Sequence, residues 1–439
     1  MADPILNTIV RFTISSATQV PSRPGFGTAL LLASQVPASW GPNRVRTFFG
    51  IADVIAAGFA ADNEARKIAE VYFGQTNRPR DLKIGRRLNI PSKRFTATIT
   101  SVALGVVYTF LINGVTITFT AGGADTATTV GAALAALVTA PTGYGAVNAA
   151  GVLTFTATVP GTSPSFEVLQ GPVTLLETTL NPGVVADLDA CLLQTSDFYG
   201  LLIDIEGKPT TLVAGPWAES NSKLYGYETF DTAVGDPVVT NDILSEMTAL
   251  SLEHAFGCAS YQRTNARIAA GLMGKCFPLD PGSETWAFKQ LAGVAAQTVP
   301  TVWFTTVDTK RGNVYARVGG VNMSWQGKTH TAWIDEVRGK DWFVTTGRID
   351  LFEVFLNANG KIPYTDFGVD QLLNAVEGFV SRAENNGLLD GARGHTITAP
   401  KIATLTAAQR ASRVFPGIEV VAFFAGAIHA VELNGVIQP

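Results

Sequence analysis

Charge is scarce in this chain: only 15% of its 439 residues are Asp, Glu, Lys or Arg, against roughly 25% in ordinary soluble domains. The 32 basic and 36 acidic residues leave a formal charge of -4. There is no basic excess to follow a nucleic-acid backbone, so nucleic acid is not an expected partner and other proteins are. Cysteine is nearly absent. Cys191, Cys258 and Cys276 are odd in number and contain no close pair, which argues against a disulfide framework and a paired-cysteine metal site and predicts reduced core thiols. No run approaches the roughly 18 uncharged apolar residues of a membrane span. The opening Met-Ala-Asp-Pro-Ile-Leu carries an acid where a signal peptide carries a base, so assembly in a cytoplasm is expected, without membrane insertion.

Signatures of chemistry are missing as well. The stretch Gly320-Val-Asn-Met-Ser-Trp-Gln-Gly327-Lys328-Thr329 has glycines and a lysine that could cradle phosphate, but the first glycine should stand five positions before Gly327, where Asn322 stands. A loop is expected there. His254, His330, His395 and His429 are far apart and in no metal-ligand pattern. No nucleophile elbow occurs. Asp335-Glu336 and the pair Asp187 and Asp189 have the chemistry for acid-base work, yet helix caps and solvated surfaces use such pairs more often. Trp217, Trp303, Trp325, Trp333 and Trp342 read as core or interface rather than as a sugar site. No catalytic, cofactor-binding or metal residue is assigned, and no enzyme activity is expected.

What the chain has in quantity is glycine, 43 residues, within a 46% apolar composition, enough for several cores. Thr28 to Ala33, helical spacing over Asp53 to Phe73 with Asp62 as a cap, and Leu82 to Ile84 read strand, helix, strand, which implies an α/β domain with a partly parallel sheet. Between about Phe95 and Gly171 only Asp125 and Glu167 are charged. There Tyr108, Phe110 and Ile112 alternate, Asn113-Gly114 signals a hairpin, and Val115, Ile117 and Phe119 alternate again. A helix from Thr126 to Val138 and a strand from Val152 to Val159 follow. The α/β pattern resumes with a helix through Leu188 and Leu192, a strand from Tyr199 to Ile205, a second strand near Thr211 to Ala214 and a helical stripe in Asn241 to Phe256. A long helix around Asp350, a turn at Asn359-Gly360, a helix from Val369 to Asn386 and a short one over Thr406 to Arg413 complete the pattern.

The expected fold class is multidomain α/β and α+β. Its parts are an N-terminal strand arm and connector (1–24), the first part of a discontinuous α/β domain (25–93), an inserted β-rich outer domain (94–177), the second part of the α/β domain (178–335), a smaller α+β domain (336–416) and a C-terminal β arm (417–439). In the first arm Val10, Phe12 and Ile14 alternate with Arg11 and Thr13. In the last, Val420, Val421, Phe423, Phe424, Ile428 and Val431 lie in an almost entirely strand-forming tail that begins at Ile418. Such an end either joins its own sheet or adds to the open edge of another chain's. Burying Val10, Phe12 and Ile14 contributes about 1.5 to 3 kcal/mol each before ordering costs, so one arm is weak. Several linked arms are strong, and head-to-tail contacts that fail to close make filaments.

Several stretches resemble the tail sheath proteins of contractile-tailed phages. They are Val20 to Thr28; Ala65 to Arg86, with Ala69-Glu70-Val71-Tyr72-Phe73; Gly282 to Lys289; Lys361 to Gly368; and Phe424 to His429. The resemblance implies a structural subunit without cofactor in a virion tail. Its partners are further copies of itself in stacked hexameric rings, an inner tail tube, a baseplate and a tail terminator. Terminal strands join neighbours, and the sheath contracts to drive the tube through a cell envelope, leading to genome ejection. It also implies a C-terminal-domain helix against the tube, for which Val369 to Asn386, with Asp370, Glu377, Arg382 and Glu384, is the candidate. The alternative is a tail adhesin or other virion protein binding a surface glycan.

Overall fold

The computed structural model describes residues 25–261, 266–358 and 360–432. The N-terminal arm, with Val10, Arg11, Phe12 and Ile14, lies outside the described residues. Two compact units emerge, one from residues 25–342 with 426–432 and one from 343–425.

The larger unit begins with β1 (Ala29–Ala33), β2 (Val45–Phe48), α1 (Ile51–Ala56), α2 (Glu64–Phe73) and β3 (Leu82–Arg86). The helical spacing over Asp53 to Phe73 thus resolves into two helices. The expected cap, Asp62, is exposed; Asn63 caps instead, its side chain accepting the Arg66 N–H at 3.2 Å. Then comes the β-rich segment of β4 (Arg94–Ile99), β5 (Val107–Ile112), β6 (Val115–Thr120), α3 (Ala127–Leu137), β7 (Tyr144–Ala149), β8 (Val152–Ala157), β9 (Phe166–Gln170) and β10 (Val173–Glu177). The chain continues through α4 (Val184–Gln194), β11 (Gly200–Ile203), α5 (Lys208–Ser220), β12 (Leu224–Thr229), α6 (Ile243–Ala249), β13 (Ala255–Ala259), α7 (Ile268–Cys276), α8 (Thr301–Thr309), β14 (Val314–Val318) and β15 (Val321–Trp325).

A six-stranded sheet in the order β13-β12-β11-β1-β3-β2 organises the larger unit. Only β2 runs antiparallel. Every residue of β1 is buried, as a central parallel strand requires. Ala29, Leu31 and Ala33 join the core shared with α2 and α7, whereas Leu30 and Leu32 join the core shared with α4, α5 and α6. The sheet is therefore covered on both faces. The strand expected near Thr211 to Ala214 is instead part of α5. Its Thr, Val and Ala residues favour a strand locally, but Thr210, Thr211, Ala214, Trp217 and Ala218 are buried at helical spacing, and this tertiary burial outweighs local preference.

Residues 94–177 gather around a third hydrophobic core, which also takes in Phe230 and in which Phe95, Tyr108, Phe110, Phe155 and Phe166 are at most 1% exposed. Two sheets, β10-β4-β8-β7 and β6-β5-β9, supply it. Asn113 and Gly114 turn β5 into β6 with φ of 49° and 80°, the left-handed pair that a two-residue hairpin needs. Thr126 caps α3 in a capping box with Thr129.

The helix α9 (Ile334–Asn357) starts in the larger unit and runs into the smaller one, which adds α10 (Asp366–Asn385), β16 (Thr396–Thr398), α11 (Ala407–Ala411) and β17 (Glu419–Val421). Val369, Leu372, Val376, Phe379, Val380 and Ala383 form the buried stripe of α10. Phe379 stacks edge-on to Phe343 with centroids 5.0 Å apart. A Cβ at Gly347 would meet the Phe379 ring at 3.0 Å, so a glycine suits that close approach. Among the described residues no helix is long and apolar enough to cross a membrane.

Candidate assembly surfaces and buried charge

The strand-forming tail pairs far less than its composition predicts. Among the described residues of the tail, only Glu419–Val421 is a strand, antiparallel to Thr396–Thr398 of the same chain, with Val421 opposite Thr396 and Val420 opposite Ile397. A bridge joins Phe424 to Leu389, the Asp390 N–H donates to the Phe423 carbonyl at 2.8 Å, and the Arg393 guanidinium lies 3.7 Å from the Phe423 ring centre. A strand needs an edge to pair with, and β16 offers only three residues. All six residues of this two-stranded sheet are exposed or half-buried. Val421, Phe423 and Phe424 keep 50%, 38% and 48% of their surface in solvent, and Ile428 and Val431 keep 84%.

Of the residues considered on the second helix of the smaller unit, Asp370 is exposed. The others have partners inside the unit. Arg382 pairs with Asp350. Glu384 and Glu377 hold the two ring nitrogens of His395, at 2.7 and 3.2 Å, and these hydrogen bonds raise the imidazole pKa. His395 immediately precedes β16, so the bridge ties the open two-stranded sheet to α10.

The groups weighed for chemistry are built into the scaffold. Asp187 is buried, pairs with Arg44 and accepts the N–H groups of Leu88 and Asn89, each at 3.1 Å. Asp189 accepts from the Trp217 indole at 2.7 Å. Gly319 and Gly320 turn β14 into β15, and the Gly327 and Lys328 N–H groups donate to Asn313 Oδ1 at 2.9 and 2.8 Å, which leaves those amides unavailable to a phosphate. Lys328 pairs with Asp308 at 2.9 Å. Burial pushes the thiol of Cys191 up to about 11 and that of Cys276 up to about 12. Among the described residues no three His, Cys, Asp or Glu side chains are placed to hold a metal.

Among the buried charges that escape sequence reading, two clusters stand out. Arg338 and Glu284 form an ion pair in the core, 1% and 6% exposed. At the carboxyl ends of β11 and β12, where open α/β sheets commonly bind ligands, a cavity of about 50 Å³ is lined by Glu64, Glu177, Asp204, Glu206 and Glu228, with Lys93 and Arg267. Lys93 pairs with Glu177 at 2.8 Å and Arg267 with Glu64 at 2.7 Å. Burial raises the pKa of Asp204 to about 6 and of Glu228 to about 8.

No curated protein matches the sequence. Residues 334–436 match the family model described as E217 tail sheath protein gp31-like, C-terminal domain. Among solved structures, the sheath complex of an extracellular contractile injection system, PVC, in its contracted state is similar over 97% of this chain and 96% of that one, with 10% identity and a TM-score of 0.56. The contracted helical sheath of the anti-feeding prophage (AFP) is similar over 97% and 98%, with 11% identity and a TM-score of 0.56. The chain is therefore sheath-like: it has the fold of contractile injection-system sheaths, and its residues 334–436 match a tail sheath family.

Proposed function

We propose that the chain is the structural subunit of a contractile tail sheath. It polymerises around an inner tube by sharing terminal strands, and it contracts to drive that tube through a cell envelope. The observation that carries this reading is the exposed pair β16–β17. A two-stranded sheet is marginal in water, and a third strand along an edge is what stabilises one. Residues 5–14 have the alternation of such a strand, and the connector after them, rich in Ser, Thr and Pro, suits a tether. Bodies linked in this way can rotate between two packings while the strands preserve connectivity. With no nucleotide-binding motif in the sequence, the work of contraction is stored during assembly.

The purified chain is expected to form hollow striated tubes in negative-stain micrographs. The same chain lacking residues 1–14 is expected to stay monomeric by light scattering, since the deletion touches no described element. Tubes from the truncated chain would overturn strand sharing. Removing 418–439 is a poorer test, because it also deletes β17 from its own unit.

Contact of α10 with the tube belongs to the same proposal. Arg382→Glu would set two carboxylates together at Asp350 and disturb the unit itself. Asp370→Lys changes an exposed charge only, and it is expected to lower the share of sheath that co-sediments with tubes while the fold stays intact.

A further inference from the structure

The chain from Gly426 belongs to the larger unit. Among the described residues, 426–432 make no backbone hydrogen bond to the body, and Ile428 and Val431 stand in solvent. His429 alone reaches in. Its Nε2 lies 2.9 Å from Thr285 Oγ1, its ring is edge-on to Trp333 with centroids 4.6 Å apart, and it is edge-on to Phe288 at 5.7 Å. Phe288 is in left-handed backbone, φ 60°, fastened by its N–H to the Ser324 carbonyl at 2.8 Å. A bulky residue adopts that conformation only when its surroundings impose it, and such strain gathers at functional positions.

We propose that Thr285, Phe288 and Trp333 form a docking seat for this chain's own segment 426–432, that neutral His429 is what the seat recognises, and that protonation of His429 frees the segment. His429 Nδ1 is buried and has no hydrogen-bond partner. A bare lone pair there costs little, whereas an N–H there would be a buried donor left unmet. The seated ring is therefore the tautomer with Nε2–H donating to Thr285.

The charged groups around the ring favour the same state. Lys328, whose Nζ lies 5.6 Å from the Trp333 ring centre and 2.9 Å from its partner Asp308, repels an imidazolium. Burial and then Lys328 hold the His429 pKa below its ordinary 6.5. Lys289 follows Phe288, Asp335 and Glu336 follow Trp333, Glu432 lies on the segment itself, and Glu284 is closed by Arg338. None of them makes a hydrogen bond to the imidazole, whose one partner among the described residues is Thr285. The released histidine binds a proton more readily than the seated one, so docking is strongest above pH 6.5 and weakens as pH falls below it. If the tail serves as a shared strand, as proposed above, this release is what makes it available. The seat itself does not depend on that reading.

The test uses the full chain at low concentration, unassembled, so its outcome is independent of sheath formation. Val431→Cys carries a small dye quenched by tryptophan contact, and labelling is selective because Cys191, Cys258 and Cys276 are buried. Emission is expected to be low at pH 8 and to rise about twofold by pH 5, with a midpoint below 6.5. Adding His429→Ala should give bright dye at both values. Adding His429→Phe, which retains a ring without a proton, should give quenched dye at both, and this also shows that the body stays folded at pH 5. Equal emission from the parent and His429→Ala at pH 8 would overturn the seat. Quenching in the parent that holds or deepens on acidification would overturn the release, marking instead a cation over Trp333.

Discussion

Arg338→Met is expected to lower the stability of the larger unit by about 3–5 kcal/mol, because it leaves a buried carboxylate without its cation. Glu284 lies on the loop between α7 and α8, and Arg338 on the first turns of α9. Besides their ion pair, Arg338 Nη2 donates to the carbonyls of Leu279 at 2.8 Å and Phe277 at 3.1 Å, and the Gly282 N–H donates to Glu284 Oε2 at 3.0 Å. The guanidinium also lies 5.5 Å from the Phe277 ring centre. The pair thus pins the start of α9 to the loop after α7. Glu284→Gln should cost less, about 1.5–3 kcal/mol, since the carbonyls still receive the guanidinium.

The double variant should be less destabilised than the sum of the two, with a coupling of about 2 kcal/mol, because each single change leaves a charge that the other removes. The measurement is the urea midpoint of the tryptophan-emission transition in all four chains. Additive losses would show that the two groups are not one unit.

Local signals were legible where neighbours in sequence are also neighbours in space. The left-handed pair at Asn113-Gly114 and the apolar run of β1 are set by a few consecutive residues and are found where expected, and the helix expected over Thr126 to Val138 is found as Ala127–Leu137. The cap of α2 moved by one residue, from Asp62 to Asn63, because either side chain can accept the amide and backbone geometry chooses. Thr211 to Ala214, within α5, reads as a strand because Thr, Val and Ala favour one locally, while the burial of Thr210, Ala214 and Trp217 depends on a sheet assembled from distant parts of the chain.

Buried charge is less legible still. Glu284 meets Arg338 across 54 positions, and nothing near either residue announces the other. The stretch Gly282 to Lys289 was singled out only by resemblance; its content turns out to be the Glu284 half of the buried pair and the Thr285 and Phe288 of the His429 seat. The tail illustrates the opposite limit. Its composition favours a strand almost throughout, but among the described residues its own chain supplies an edge only for Glu419–Val421.

The acidic cavity beneath β11 and β12 leads to the second large effect, a loss of stability as pH rises from 5 to 8.5 that Glu228→Gln should abolish in large part. Five carboxyl groups face two cations there, and the cations are engaged by Glu64 and Glu177. Glu228 Oε1 accepts the Ala269 N–H at 2.7 Å, at the start of α7, while its Oε2 is buried with no hydrogen-bond partner. The residue is partly exposed overall, but that oxygen is sealed. Burial, only partly offset by the Ala269 amide and the Arg267 charge at Glu228 and by Ser34 and Arg87 at Asp204, holds the proton on Glu228 up to about pH 8 and on Asp204 up to about 6. In the unfolded chain a glutamic acid loses its proton near pH 4.5. Between those values the fold binds more protons than the unfolded state, so stability is full below pH 4.5 and declines as pH climbs through the folded pKa. Glutamine keeps the acceptor for Ala269 and has no proton to lose. The variant should match the parent near pH 4.5 and exceed it by about 2–4 kcal/mol at pH 8.5, allowing for relaxation of the cavity on ionisation. Lys93 and Glu177 flank the two strands by which residues 94–177 enter and leave the α/β body, so the lost stability should appear first as hydrogen exchange at β4 and β10. Parallel stability curves for the two chains across this range would show that Glu228 carries no proton in the fold.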